Sequence, residues 1–319
     1  MKNLILLIIS LISVDLLFGQ QPGEEQWKEN LSKNHVQTQV QWNHKYEKGN
    51  PRKDGYKNYM KRFDHKGNVI EEVYYQSDSV DQRLSYRYDN KENKVEYVNY
   101  LGNGSKVLFK QNITYDNAGK KIREERYNGS DYQIIKYNYE NNKLSEIIRS
   151  NIYGNVEHKR TFKYTGNICT IDIINEKGQK TGEIRNKYDD NNNIIESTEY
   201  DIKGKVKEKY LYEFEGNLVQ EKVKYVLGNF IYKEEYEYGN NGNLIKVIKK
   251  ESEGKQYISN IYKYDAQGNL IEEEWYDNHP KDNSTKKYFY DEKGLLEKVE
   301  VYYALYRYKI QYRYDYTFY

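Results

Sequence analysis

From residue 63 to residue 314 the chain repeats one pattern, an aromatic residue followed by a polar turn and then aliphatics, and this repetition limits its possible folds more than any other feature. The clearest copies read Tyr264-Asp265-Ala266-Gln267-Gly268-Asn269-Leu270-Ile271 and Tyr238-Gly239-Asn240-Asn241-Gly242-Asn243-Leu244-Ile245. Others begin at Phe63, Tyr88, Tyr115, Tyr139, Tyr164, Tyr188, Phe214, Tyr290 and, truncated, Tyr314, making about eleven copies spaced about 25 residues apart. A period of that length means each copy is one small unit that buries its apolar side against its neighbours.

Each copy reads as two strands and two turns. Aromatics alternate with polar residues ahead of the turn, as in Tyr262 and Tyr264, Tyr236 and Tyr238, or Phe162 and Tyr164. Period two marks a strand, and tyrosine suits one. The Gly-Asn and Asn-Asn pairs supply the positive φ angles that tight reversals need, so Gly67, Gly119, Gly216, Gly242, Gly268 and Gly294 are predicted to be structural turn residues. The second turn of each copy is looser, and the longest contains Asn278-His279-Pro280. Sustained helical periodicity is absent; Trp27 and Leu31, at i and i+4, suggest at most a short helical turn.

Lys, Glu and Arg recur beside the tyrosines, so no strand offers the uniformly apolar inner face of a sandwich. The expectation is an all-β fold of antiparallel hairpins forming a curled meander, solenoid or open shell. Its last strand, 311–319, would be a free aromatic edge able to pair with another chain.

Composition narrows the function. The 319 residues carry 51 basic and 49 acidic side chains, a balance that does not suit a nucleic-acid binder. Mean hydropathy is −1.09, yet 38 tyrosines bring the aromatic share to 15%, which argues against disorder. The single cysteine, Cys169, excludes an internal disulfide framework and reads as a small buried hydrophobe. At the N-terminus, Lys2, the apolar run from Leu4 to Val14 and the small Gly19 read as a secretory leader over 1–19, interrupted by Asp15 and too short for a spanning helix. Segment 20–55 then forms a leading cap strand and turn, and 56–319 the repeat domain. The expected location is secreted, in the periplasm, at the cell surface or outside, with no membrane span after the leader is removed.

The Tyr-Asp-x-x-Gly-Asn-Leu-Ile copies resemble the YD repeats of RHS-type secreted and surface proteins, over about residues 56 to 316. Tyr264 to Ile271 matches best, with Tyr115-Asp116-Asn117-Ala118-Gly119 and Tyr290-Asp291-Glu292-Lys293-Gly294 close behind. The resemblance implies a repeat architecture winding into a β-shell, sometimes enclosing a toxin, and a carbohydrate-binding role. The chain departs from that family in having no Asp-Pro, hence no self-cleaving core motif, and no toxin module after the repeats.

Catalytic chemistry is hard to find. The five histidines include no pair at zinc-ligand spacing, and no nucleophile elbow or phosphate loop occurs. Asp189, Asn191 and Asn193 imitate the start of a calcium loop, but Tyr200 stands where the bidentate Glu belongs, so they read as a turn. No catalytic residue, metal site or cofactor is expected. Tyrosines at anchor positions read as core, which leaves the off-pattern Trp275, Tyr276, Tyr302 and Tyr303 as candidate ligand-binding residues, since aromatic rings with polar tips can stack on sugars. The expectation is a non-enzymatic binding or structural module at the bacterial cell envelope, with an envelope glycan or another protein chain as partner. The alternative is an extracellular glycoside- or polysaccharide-acting enzyme.

Overall fold

A computed structural model describes residues 24–104, 106–277 and 282–319; the leader and His279 lie outside them. A helix, α1 (Glu24–Lys33), precedes 22 long antiparallel strands, the first Val36–Glu47 and the last Tyr308–Phe318, with a two-residue bridge at Asn50–Pro51. Consecutive strands pair by hairpins throughout.

The array is not an open solenoid or shell of the RHS-repeat kind. The first strand pairs on one side with Tyr56–Phe63 and on the other with the last strand, from Val36 opposite Phe318 to Lys45 opposite Ile310. The sheet therefore closes into a 22-stranded barrel. The expected free edge at 311–319 does not exist, because closure satisfies its backbone groups within the chain. Tyr319 fastens the seam: its hydroxyl donates to the Phe63 carbonyl at 2.5 Å, its N–H to the His35 carbonyl, and its ring stacks on His65 at 3.9 Å.

Pairing slopes around the wall. Val40 faces Met60, Met60 faces Val73, Val73 faces Arg83, Arg83 faces Tyr100, and Tyr100 faces Val107. That walk starts near the middle of the first strand and ends one residue from a strand terminus, a slip of about one residue per strand. For 22 strands spaced about 4.8 Å apart, such a slope gives a tilt of roughly 35° and a diameter of roughly 40 Å. A barrel this wide encloses a lumen. The chain exposes 20469 Å², against about 14,000 Å² for a compact monomer of its mass, as expected when both faces of a single sheet are left uncovered by the rest of the chain.

Ten hairpin turns lie at the rim holding α1 and the C-terminus, the proximal rim; the others form the distal rim. Chain chirality tells which face lines the lumen. The Asp64 N–H bonds the Asn68 carbonyl, so Arg62 and Met60 point their backbone polar groups at the following strand, while Lys61 and Tyr59 point theirs at the first strand. For L-residues this sets each following strand on the left of a viewer on the tyrosine side, proximal rim up. The register slope then leans the strands to the left. Strands in barrels of natural twist lean right from outside and left from inside. The tyrosine face is the lumen.

The repeat residues now have causes. In the turn at 64–68 the Asp64 carboxylate accepts N–H bonds from Lys66 and Asn68, both at 2.9 Å, and Gly67 takes φ +80°. Turns at 89–93, 116–120, 265–269 and 291–295 bond in the same way. These are type I turns closed by a positive-φ bulge residue. Beside each turn the register shifts at the anchor aromatic, as at Arg87/Tyr88 and Lys263/Tyr264. The anchor hydroxyl then reaches back to the previous copy. Tyr88 donates to the Val69 carbonyl, Tyr139 to Lys121, Tyr164 to Leu144, Tyr238 to Val219, Tyr264 to Leu244, and Tyr290 to Leu270, at 2.8–3.1 Å. In the last copy Tyr316, not Tyr314, makes this bond, to Leu296. Copies are thus bolted together by phenols as well as by their ladders.

Candidate functional site

Neither face is a continuous apolar surface, and the two differ in kind. Outside, cations meet carboxylates across strands: at mid-height Lys110 with Glu96 at 2.9 Å, Lys233 with Glu221 at 2.5 Å and Arg83 with Glu71 at 3.5 Å, and nearer the proximal rim Lys263 with Glu272 at 2.7 Å. Each pair contributes little to stability in water. In hydrocarbon, each mid-height Arg or Lys on the lipid side of a barrel would cost roughly 2–4 kcal/mol. Arg83, Lys110, Lys159, Lys209, Lys233 and Lys287 all sit there. The outer wall is thus charged at mid-height. Among the described residues no helix is long and apolar enough to cross a membrane, which says nothing of the strands.

The lumen is carpeted with tyrosine and held by a repeated device, a carboxylate receiving a phenol. Tyr74 donates to Glu72, Tyr137 to Glu124 and Tyr236 to Glu234, each at 3.0 Å, and Tyr288 to Glu273 at 3.1 Å. Burial, then the Glu72 charge, pushes the Tyr74 hydroxyl up to about 12. Burial and the Glu273 charge do the same for Tyr262. Both phenols therefore stay protonated at neutral pH, and Tyr74 donates to Glu72.

In the distal half of the lumen, five strands from Asn229–Tyr238 to Ser284–Tyr290 frame an open groove of ≈ 550 Å³. Its aromatic walls are Tyr257, Trp275 and Tyr276, and its polar lining is Glu234, Lys249, Ser259, Asn260, Glu273 and Lys286. Register puts Lys249 opposite Tyr257, Asn260 opposite Trp275, and Glu273 opposite Lys286. Tyr276, leaving its strand, turns onto Tyr257 with ring centres 4.6 Å apart, and Lys255 donates to its hydroxyl at 3.1 Å. Lys286 lies 5.1 Å from the Trp275 ring centre, a cation–π contact that orients the indole. Tyr303 meets Trp275 edge-on at 6.0 Å and stacks on Tyr308.

The structure thus joins three of the four aromatics singled out from sequence, Trp275, Tyr276 and Tyr303, around one luminal region. Tyr302 is not with them. It follows the parity of Lys298 and Glu300 to the outer face, where Lys309 lies over its ring. Sequence reasoning missed Tyr257, Lys249 and Asn260, although counting parity through the bulges of neighbouring strands would have set them on the Trp275 face. The six turn glycines have φ of +80° (Gly67), +83° (Gly119), +59° (Gly216), +77° (Gly242), +87° (Gly268) and +72° (Gly294). At Gly67 a side chain would also meet the Lys28 carbonyl of α1 at 2.4 Å, so this turn seats the helix.

Other chemistry-bearing residues are accounted for structurally. Asp189 accepts the N–H groups of Asn191 and Asn193 and the Asn193 amide, a turn rather than an ion cage. Burial pushes the Cys169 thiol up, which keeps it un-ionised. A cleft of ≈ 380 Å³ at the proximal rim lies between Tyr164 and Tyr188 and is lined by Asn167 and Asp189, whose side chains are spent on turn and rim bonds. Among the described residues no cluster of three His, Cys, Asp or Glu side chains could hold a metal.

No protein-family model and no curated protein sequence matches the chain. Among solved structures it is similar to the TcdB2-TccC3 complex, at 14% identity and a TM-score of 0.34 over 84% of this chain, where it spans only 15% of that chain. It is also similar to porin-like proteins from Bacteroides uniformis (9% identity, TM-score 0.33, 88% of this chain and 97% of that one) and Bacteroides vulgatus (10%, 0.24, 88% and 98%). Likenesses at this level carry no argument about activity or partner.

Proposed function

We propose that the exported chain is a water-soluble, non-enzymatic barrel of the bacterial envelope space that binds a glycan in its lumen, across the Trp275 groove. The observation that carries this reading is the pairing of an aromatic wall, Trp275, Tyr257 and Tyr276, with the polar lining of Lys249, Asn260 and Glu273. Sugar rings present apolar faces and polar edges, and such a wall answers both. The lumen is wide enough for a polymer, and the leader-like start supports export.

An enzymatic reading has one point in its favour, that two carboxylates, Glu234 and Glu273, line the same groove. Both belong to the repeated carboxylate–phenol device, like Glu72 and Glu124. Glu234 is also 3.5 Å from Lys222, and Glu273 is 3.5 Å from Lys286. They are wall-holding groups with committed partners, which favours binding over hydrolysis.

The test is a glycan-array screen of the purified protein, followed by titration of any hit against Trp275→Ala. Loss of a single stacking wall should weaken binding by roughly tenfold, about 1.4 kcal/mol, with unchanged circular dichroism. No hit on the array, or a Trp275→Ala variant that binds as wild type does, would refute the assignment. Turnover of chromogenic glycosides that disappears in Glu273→Gln would establish the enzymatic reading instead.

A further inference from the structure

We propose that the distal rim is a docking surface for a lipid bilayer containing anionic lipid, on which the barrel stands without crossing it. Among the described residues the most exposed large apolar side chains are all on distal turns: Ile152 (59%), Tyr153 (86%), Ile202 (61%), Leu227 (57%), Leu305 (50%) and Tyr306 (76%). The proximal turns present Asp, Asn, Gly and Lys instead. The tips come from four hairpins set two to ten strands apart around the ring, which at roughly 6 Å of circumference per strand separates them by more than 10 Å. They form no contiguous patch for a rigid protein partner. A fluid interface can receive each one separately.

Leu227 strengthens the case. It occupies the first position of a two-residue turn at φ +50°, where asparagine, aspartate or glycine is favoured. A leucine there strains the backbone and leaves the residue more than half exposed. Charge sets the orientation and the lipid. The ten proximal turns carry nine acidic and four basic side chains, so an anionic surface repels that rim. Ile202 is followed by Lys203 and Lys205, and Tyr306 by Arg307, which places cations beside inserted tips. The charged outer wall keeps the barrel from sinking further.

The experiment is co-sedimentation of the protein, purified after export, with vesicles of phosphatidylcholine alone or mixed with phosphatidylglycerol. Wild type should bind the mixed vesicles, more weakly at high salt. The combined variant Tyr153→Ser, Ile202→Ser, Leu227→Asn, Tyr306→Ser should lose about tenfold or more in affinity while keeping its strand spectrum. Leu227→Asn alone should raise the melting temperature yet weaken vesicle binding, a split that a leucine with a merely structural role would not produce. Failure of wild type to bind either vesicle, or binding untouched by the combined variant, overturns the proposal. So does a concentration-dependent dimer abolished by the same substitutions without any vesicle binding, because the rim would then pair two copies.

Discussion

Glu124 is the most demanding polar residue in the wall, and replacing it with leucine puts the luminal network to a quantitative test. Its side chain is fully buried and accepts from Gln111 at 2.6 Å, Lys121 at 3.0 Å, Tyr137 at 3.0 Å and Arg126. Leucine fills a similar volume but leaves four donors without an acceptor. Arg126 and Lys121 are about one-third exposed (31% and 35%) and can rehydrate, so their share is discounted. The Gln111 amide and Tyr137 hydroxyl recover less, at roughly 1–3 kcal/mol each. Together these give about 3–5 kcal/mol, the range for breaking a buried pair. Urea unfolding at pH 7 should show a lower midpoint at unchanged slope. Acid supplies a second reading. Burial pushes the Glu124 carboxyl up, but hydrogen bonding from Arg126 and the charges of Arg126 and Lys121 outweigh it and hold it below the usual carboxylate range. A folded-state value below the unfolded one gives stability that is present above about pH 4.3 and lost as pH falls through the folded value. The gap between wild type and Glu124→Leu should therefore narrow below pH 4. A variant within about 0.5 kcal/mol of wild type at pH 7, or a gap indifferent to acid, would refute the network.

Three further outcomes follow from the same geometry. Tyr264→Phe removes the phenol that holds the Leu244 carbonyl at 2.9 Å and should cost about 1 kcal/mol by denaturant titration. Gly268→Val forces a β-branched residue to φ +87° and should cost about 2 kcal/mol or more, whereas Lys263→Val, which loses only an exposed pair with Glu272, should stay within about 0.5 kcal/mol; equal melting temperatures would remove the turn assignment. Ending the chain after Tyr303 deletes the last strand and with it both of its ladders, so the barrel should unfold as a whole, seen as cooperative loss of the strand signal, rather than fray at one end.

Much of the local structure was legible because its causes are local. Asp265, Gly268 and Asn269 build their turn from their own carboxylate, φ and amide, and no distant residue is needed. The helix is harder to read, since Trp27 and Leu31 are helical only because Phe63, Val36 and Leu295 cover them. In the site, Trp275 and Tyr303 stood out as breaks in the pattern, but Tyr302, one residue away, follows the opposite parity to the outer wall. Tyr257 and Lys249 went unnoticed because a bulge opposite Ile248 resets their parity.

From sequence alone come the strands, the two classes of turn, the 25-residue period and the alternation that separates tyrosine from charge. Each depends on residues within about one hairpin of one another. Closure does not. The bond between Val36–Glu47 and Tyr308–Phe318 joins segments at opposite ends of the chain, and it forms because a slip of about one residue per strand, repeated through every bulge, brings the sheet's last edge round to its first. Which face becomes a lumen is decided at the same moment. Alternation says only that tyrosines share a side; the twist of L-residues, summed over 22 strands, turns that side inward and leaves the ion pairs on the outer wall.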